Sequence, residues 1–336
     1  MAIDTNYSLP WNSPDKPGVS FKLSENADGG AIRIGDIAQK ALIGLTIAAL
    51  VAGTALLVAV VVLNPVGGML ALTVTGIALA ILLSALALSW LPDVLPEPFD
   101  HVGNTIKTLV KEVFCLLTCA VLYPISQTWF DPKKEEINQN QNPVLLVHGY
   151  LHNSSAWTYY RYRLNKAGFN NVFTIDLGHP LQSIEDYAEK VKKKVSEIQI
   201  LTGKSTITLI GHSMGGLVSS FYATKLASEQ GIFVSEVVTL GSPLNGSRFS
   251  VIGFGECARQ MGRESNFVKG LQEKVRASNI PFIHFGSQTD ELVRPTVSAI
   301  IKDKEHFEFR EMGHAAYLFS DRVIDRLIVR LRSIKI

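Results

Sequence analysis

The chain changes character along its length. Residues 41–91 contain no Asp, Glu, Lys, Arg or His. A helix in a soluble core keeps one polar face, so an uncharged run this long predicts lipid surroundings. Asn64-Pro65-Val66-Gly67-Gly68 is a dense turn signal within it. On either side lie Ala41–Leu63 and Met69–Leu91, 23 residues each. At about 1.5 Å per residue each half reaches about 35 Å, enough for a hydrocarbon core of about 30 Å. The pattern predicts a transmembrane helical hairpin over 37–91. Before it, residues 1–36 are a polar lead with Pro10, Pro14 and Pro17. After it, 92–100 are a proline-rich exit. Asn104–Tyr123 then carries Ile106, Leu109, Val110, Val113, Phe114 and Leu117 at helical spacing. That helix is expected to lie in the membrane interface, to insert partly, or to pack on the domain that follows. Cys115 and Cys119 share one face of it. Residues 131–142 (DPKKEEINQNQN) read as a polar linker, so 92–142 form a connecting region and 143–336 a separate domain.

From 143 onward, short apolar runs alternate with helical patterns. Pro143–His148, Val172–Asp176, Thr206–Ile210, Glu236–Leu240 and Pro281–Phe285 predict buried strands, and Phe307–Arg310 an edge strand. Ser155–Ala167, Ile184–Leu201, Met214–Ser228 and Ser320–Ser333 predict helices. Continuously apolar strands alternating with helices indicate an α/β fold, a mainly parallel sheet covered on both faces. Residues 246–280 form an insertion with Val251, Ile252, Phe254, Met261, Phe267, Val268 and Leu271. It is expected either to form a lid or acyl-binding wall, or to supply ordinary helices beside the sheet.

Composition adds less. Of 336 residues, 47% are hydrophobic and only 18% charged, with a mean hydropathy of +0.19, high for a wholly soluble chain. A formal net charge of +2 gives no push toward nucleic acid. Three cysteines cannot build a disulfide framework. The hairpin turn carries no Lys or Arg, whereas Arg33 and Lys40 lie before the apolar run and Lys107 and Lys111 after it. The positive-inside rule then places both flanks, and the domain that follows, in the cytoplasm.

Chemistry concentrates where strands end, the usual place for a site in such a sheet. The strand Thr206–Ile210 runs into Gly211-His212-Ser213-Met214-Gly215, a G-x-S-x-G sequence between a strand and a helix. A serine on such a sharp turn projects its hydroxyl clear of the sheet, and the helix dipole favours negative charge there. Ser213 is therefore the expected nucleophile. It needs a base, and among eight histidines His314 stands out, just before the last helix. The imidazole needs a carboxylate. Asp290 is the first choice; Asp176 and Glu291 are rivals. An oxyanion hole is expected from the backbone N–H groups of Met214 and Tyr150, with Leu151 as fallback. His148, Gly149, Gly211, His212 and Gly215 shape the surrounding turns. This chemistry requires no metal or organic cofactor.

Residues 143–336 resemble the α/β-hydrolase superfamily, and within it small bacterial triacylglycerol lipases. The resemblance is carried by VLLVHGY (144–150), GHSMGG (211–216), TLGSPLNGS (239–247), SQTDELVRP (287–295) and GHAAYL (313–318). In those lipases the third segment usually has His where this chain has Leu244. The resemblance implies ester hydrolysis through an acyl-enzyme, on a lipid or acyl-ester substrate held near the bilayer. The same triad serves thioesters, amides and lipid anchors. A reading of another class is a non-catalytic membrane interaction protein on a hydrolase fold.

Overall fold

The computed structural model describes residues 102–334. The polar lead, the predicted hairpin and the proline-rich exit lie outside the described residues. Among the described residues, no helix is long and apolar enough to cross a membrane.

Six strands form one sheet: β1 (Val144–Val147), β2 (Val172–Ile175), β3 (Thr206–His212), β4 (Phe233–Leu240), β5 (Phe282–Ser287) and β6 (Glu305–Phe309). Their order is β2-β1-β3-β4-β5-β6, and every pairing is parallel. The four residues of β1 are all buried, as strands with helices on both faces require. Alternation divides them. Leu145 and Val147 enter one core with residues of α3 (Ile184–Thr202) and α4 (Met214–Phe221). Val144 and Leu146 enter the opposite core, against α2 (Thr158–Lys166) and α7 (Asp321–Ser333). The insertion contributes α5 (Gly255–Gln260) and α6 (Asn266–Ala277).

The insertion is divided in its role. Val268, Leu271 and Val275 recur on one face of α6 and, with Met261, pack into the first core, while Phe267 stacks on Phe221 at 5.7 Å. Val251, Ile252 and Phe254, by contrast, are exposed.

The helix ahead of the sheet, α1 (Val102–Leu122), packs on the second core through Cys115 and Cys119. Its buried stripe is Thr108, Glu112, Cys115 and Cys119, while Phe114, Leu117 and Val121 point outward. The stretch that reads as a polar linker is fastened to the body. Asp131 pairs with Arg161 and with Lys194 (2.8 Å), and accepts the Thr174 amide at 3.0 Å. Asn138 and Gln141 bond to Asn171 at the start of β2.

Two local features fix the loop ends of the central strands. A Cβ on Gly215 would run into the Val147 carbonyl and lie 2.6 Å from the His148 oxygen. Helix α4 therefore approaches β1 closely only because that residue is glycine. At the far side, buried Glu236 on β4 receives Arg330 of α7 at 2.7 and 2.8 Å, which ties the last helix to the sheet.

Candidate active site

Ser213 sits between β3 and α4 with φ 55° and ψ −126°. A positive φ in a non-glycine residue stores strain, about 1–3 kcal/mol. Its amide bonds to the Leu240 carbonyl at 2.9 Å, which pins the turn to the neighbouring strand. Met214 opens α4, so its N–H lies among the helix-start amides without an intrahelical acceptor. The loop after β1 closes over the serine: a Cβ on Gly149 would lie 2.9 Å from the Ser213 Cβ. Leu151 in that loop has φ 53°. The Tyr150 hydroxyl donates to the Phe254 carbonyl (2.8 Å) and accepts the Phe254 amide (2.9 Å). The loop after β1 is thereby tied to the exposed apolar segment of the insertion.

His314 and Asp290, both buried, face one another. His314 Nδ1 lies 2.9 Å from Asp290 Oδ2 and 3.1 Å from Oδ1. Oδ1 also accepts the amides of Leu292 and Val293, each at 2.9 Å, so the carboxylate cannot swing away from the ring. Burial opposes the imidazolium, but the charge and hydrogen bond of Asp290 outweigh it and hold His314 above its ordinary pKa. The hydrogen bond from Ser213 Oγ to His314 is not formed in this structure; such contacts often close only with substrate in place.

The other two carboxylates weighed against Asp290 lie elsewhere. Asp176 accepts the Ser154 amide and the Ser126 hydroxyl, both at 2.6 Å, and so secures a loop. Glu291 accepts the backbone amide of His314 (3.2 Å), not the ring.

The motif histidines act as neutral struts. Burial pushes His148 down to about 4. Its Nε2 accepts the Leu177 amide (2.9 Å), so the proton sits on Nδ1, which donates to the Gly149 carbonyl (2.9 Å). Buried His212, held well below its usual pKa by desolvation and then by His314, bonds the His314 carbonyl through Nε2 at 2.9 Å. Its ring lies 4.8 Å from the His314 ring. His284 is a neutral core residue bonded to Thr239.

One participant carries no motif. Glu112, on α1, is 2% exposed and reaches the backbone beside His314, accepting the amides of Ala315 and Ala316. The sequence places it on the same face as Cys115 and Cys119. A carboxylate in line with two small cysteines is the one available signal that this face is buried.

A parallel sheet with a strained serine at its central strand end, a histidine before the last helix and a carboxylate after β5 defines the α/β-hydrolase fold. Residues 144–297 match the model of the alpha/beta hydrolase family. A mature lipase from Bacillus licheniformis is similar in structure, with a TM-score of 0.50 and 18% identity, covering 60% of this chain and 96% of that one. A monoacylglycerol lipase from Paleococcus ferrophilus aligns with a TM-score of 0.45 and 17% identity, covering 57% of this chain and 96% of that one. No curated protein matches the sequence.

Proposed function

We propose that this chain is a membrane-anchored serine hydrolase that cleaves carboxylic esters, with long acyl chains preferred. The observation that carries the reading is the buried Asp290 carboxylate held against His314 Nδ1, with Ser213 on a strained elbow whose neighbour His212 lies ring to ring 4.8 Å from His314. In the proposed reaction Asp290 keeps the imidazole proton on Nδ1, leaving Nε2 to take the Ser213 proton as Oγ attacks the ester carbonyl. The Met214 and Tyr150 amides stabilise the oxyanion. His314 then protonates the leaving alcohol, and water releases the acid by the same route.

Two features support a lipid substrate. Leu151, Val251, Ile252 and Phe254 form an exposed apolar set, joined to the oxyanion loop through Tyr150. Phe114, Leu117 and Val121 on α1, followed by Trp129 and Phe130, form another. The sequence between 37 and 91 supplies the anchor, and its flanking lysines and arginine favour a cytoplasmic catalytic domain.

A fluorophosphonate probe tests the nucleophile: wild type should label and Ser213→Ala should not, with chromogenic-ester turnover lost in parallel. Equal labelling of both would remove Ser213 from the mechanism. An acyl-chain scan then tests the substrate class. Rising kcat/KM with chain length is expected; a maximum at acetate or butyrate would point to a general esterase.

A further inference from the structure

The backbone that carries His314 is shaped around a pair of carboxyl groups absent from the proposed triad. Glu112 Oε1 accepts the Ala315 amide and Oε2 the Ala316 amide (3.0 Å). Glu291 accepts the His314 amide at 3.2 and 3.3 Å. The two buried carboxyls act on each other's ionisation, so a proton retained by one of them is favoured over two neighbouring negative charges. The preceding residue is glycine for the same reason: a Cβ on Gly313 would overlap Glu112 Oε2 and lie 2.7 Å from its Cδ. Gly313, Ala315 and Ala316 are thus fitted to a side chain contributed by a helix that precedes the sheet, and His314 between them to Glu291.

We propose that Glu112 is a positioning residue for His314, acting with Glu291 through the backbone of 314–316; the proposal rests on the hydrolase reading above. Neither carboxyl is bonded to the imidazole. Their effect is to fix where the ring stands against Asp290. A buried ring held on one side by Asp290 and on its backbone by His212 and this pair has little freedom to drift, and small misplacements of a base cost rate steeply.

The pair is also a titrating unit. Burial pushes Glu112 up to about 7 and Glu291 well above the carboxylate range. The charged and titratable groups facing them are Asp290, which raises both, and His314, which lowers Glu291. Cys115 and Lys111 on α1, Arg294 and Tyr317 complete the surroundings. Near neutral pH the pair keeps at least one proton. Its loss places two carboxylates in contact, and their repulsion slackens the turn that carries His314. Activity should therefore fall on the alkaline side through this pair.

The test uses full-length Glu112→Ala and Glu112→Gln. Glu112→Gln keeps one accepting oxygen for one of the two amides, turns its NH₂ toward the other, and cannot ionise. Glu112→Ala is expected to lower kcat at least about tenfold with KM within about twofold, and to shift the NMR titration of the His314 ring. Glu112→Gln should recover part of kcat and flatten the alkaline limb. A cooperatively melting Glu112→Ala with wild-type kcat and wild-type His314 titration overturns the proposal. If Glu112→Ala does not fold, Glu112→Gln decides: an unchanged alkaline limb overturns it. Failure of the wild type to label with fluorophosphonate would sink the hydrolase reading alone, because the His314 titration in the Glu112 variants still reports positioning.

Discussion

Replacing Asp290 by Asn changes one atom and reverses the hydrogen-bond logic of the site. Asp290 Oδ1 already accepts two backbone amides, from Leu292 and Val293. An asparagine oxygen is needed there, since a carboxamide NH₂ facing two N–H donors leaves three donors without an acceptor. The NH₂ group is then turned toward His314 Nδ1, which must present its lone pair. The ring proton moves to Nε2, the nitrogen that takes the Ser213 proton in the proposed reaction, and the base is lost by tautomer. The imidazolium also loses its counter-charge. Opposite unit charges about 3 Å apart, at an effective dielectric of about 20, attract by about 5 kcal/mol. At about 1.4 kcal/mol per decade of rate, that predicts a loss of roughly 10³–10⁴ in kcat/KM. The size agrees with the roughly 10⁴-fold effect of the corresponding change in a serine protease. The assay is turnover of a chromogenic ester across about pH 5 to 9, with thermal melting to establish folding. Because the base must be neutral, kcat/KM falls as pH drops through the His314 pKa. Asp290 raises that pKa against burial, so the residual acidic limb in the variant should move to lower pH. A folded Asp290→Asn retaining more than a tenth of wild-type kcat/KM would refute the reasoning and return Glu291 to consideration.

Two further predictions concern what holds the site in place. Gly215→Ala forces a Cβ onto the carbonyls of Val147 and His148; overpacking against backbone should cost about 3 kcal/mol or more and abolish labelling, read by urea denaturation and probe incorporation. Gly270→Ala on α6, where the Cβ meets only the Lys274 ammonium at 3.6 Å, should instead stabilise by about 0.5–1 kcal/mol, so equal effects at the two positions would contradict the packing argument. Arg330→Ala leaves Glu236 buried without its cation. Removing one partner of a buried pair costs about 3–5 kcal/mol, and the partial exposure of Arg330 reduces that to about 2–3 kcal/mol. Burial raises the Glu236 pKa and Arg330 restrains the rise. The deficit should therefore shrink as pH falls and Glu236 takes up a proton; a pH-independent deficit would assign the loss to packing.

The sheet was legible because its strands bury both faces and so read as unbroken apolar runs. The observed strands lie within about three residues of those expected at either end, the largest extension being Phe233–Ser235 at the start of β4. The helix Met214–Ser228 is shorter in its regular part, which ends at Phe221 and passes into a π turn over Tyr222–Leu226. The elbow was legible because its motif demands a backbone geometry, and Ser213 has it, with φ 55°. Choosing between Asp290 and Glu291 was harder, since adjacent residues in a loop differ only in direction; the structure turns one to the ring and the other to the backbone. Asn104–Tyr123 packs on the domain, one of the placements expected of it, but leaves Phe114, Leu117 and Val121 outside for a physical reason. Hydrophobic spacing predicts which face of a helix is apolar, whereas burial also depends on what the partner surface offers. Here the partner offers unpaired amides at 315 and 316.

That exchange has a cost that can be weighed. Phe114 and Val121 are 70% and 74% exposed and Leu117 is 43% exposed. Burying side chains of this kind is worth about 1.5–3 kcal/mol each, so a rotated α1 would gain several kcal/mol of apolar burial. Rotation would take Glu112 away from Ala315 and Ala316 and leave those amides buried without acceptors, at about 1–3 kcal/mol apiece. The two totals are comparable, and the observed orientation leaves the apolar face unspent in water. A bilayer recovers it without disturbing Glu112. Anionic vesicles should therefore bind the full chain less tightly when Phe114 and Val121 are replaced by Ser, while labelling of Ser213 in solution stays at the wild-type rate. Unchanged binding would mean that this face contributes nothing to membrane contact, and reduced labelling would mean that it supports the site through α1 instead.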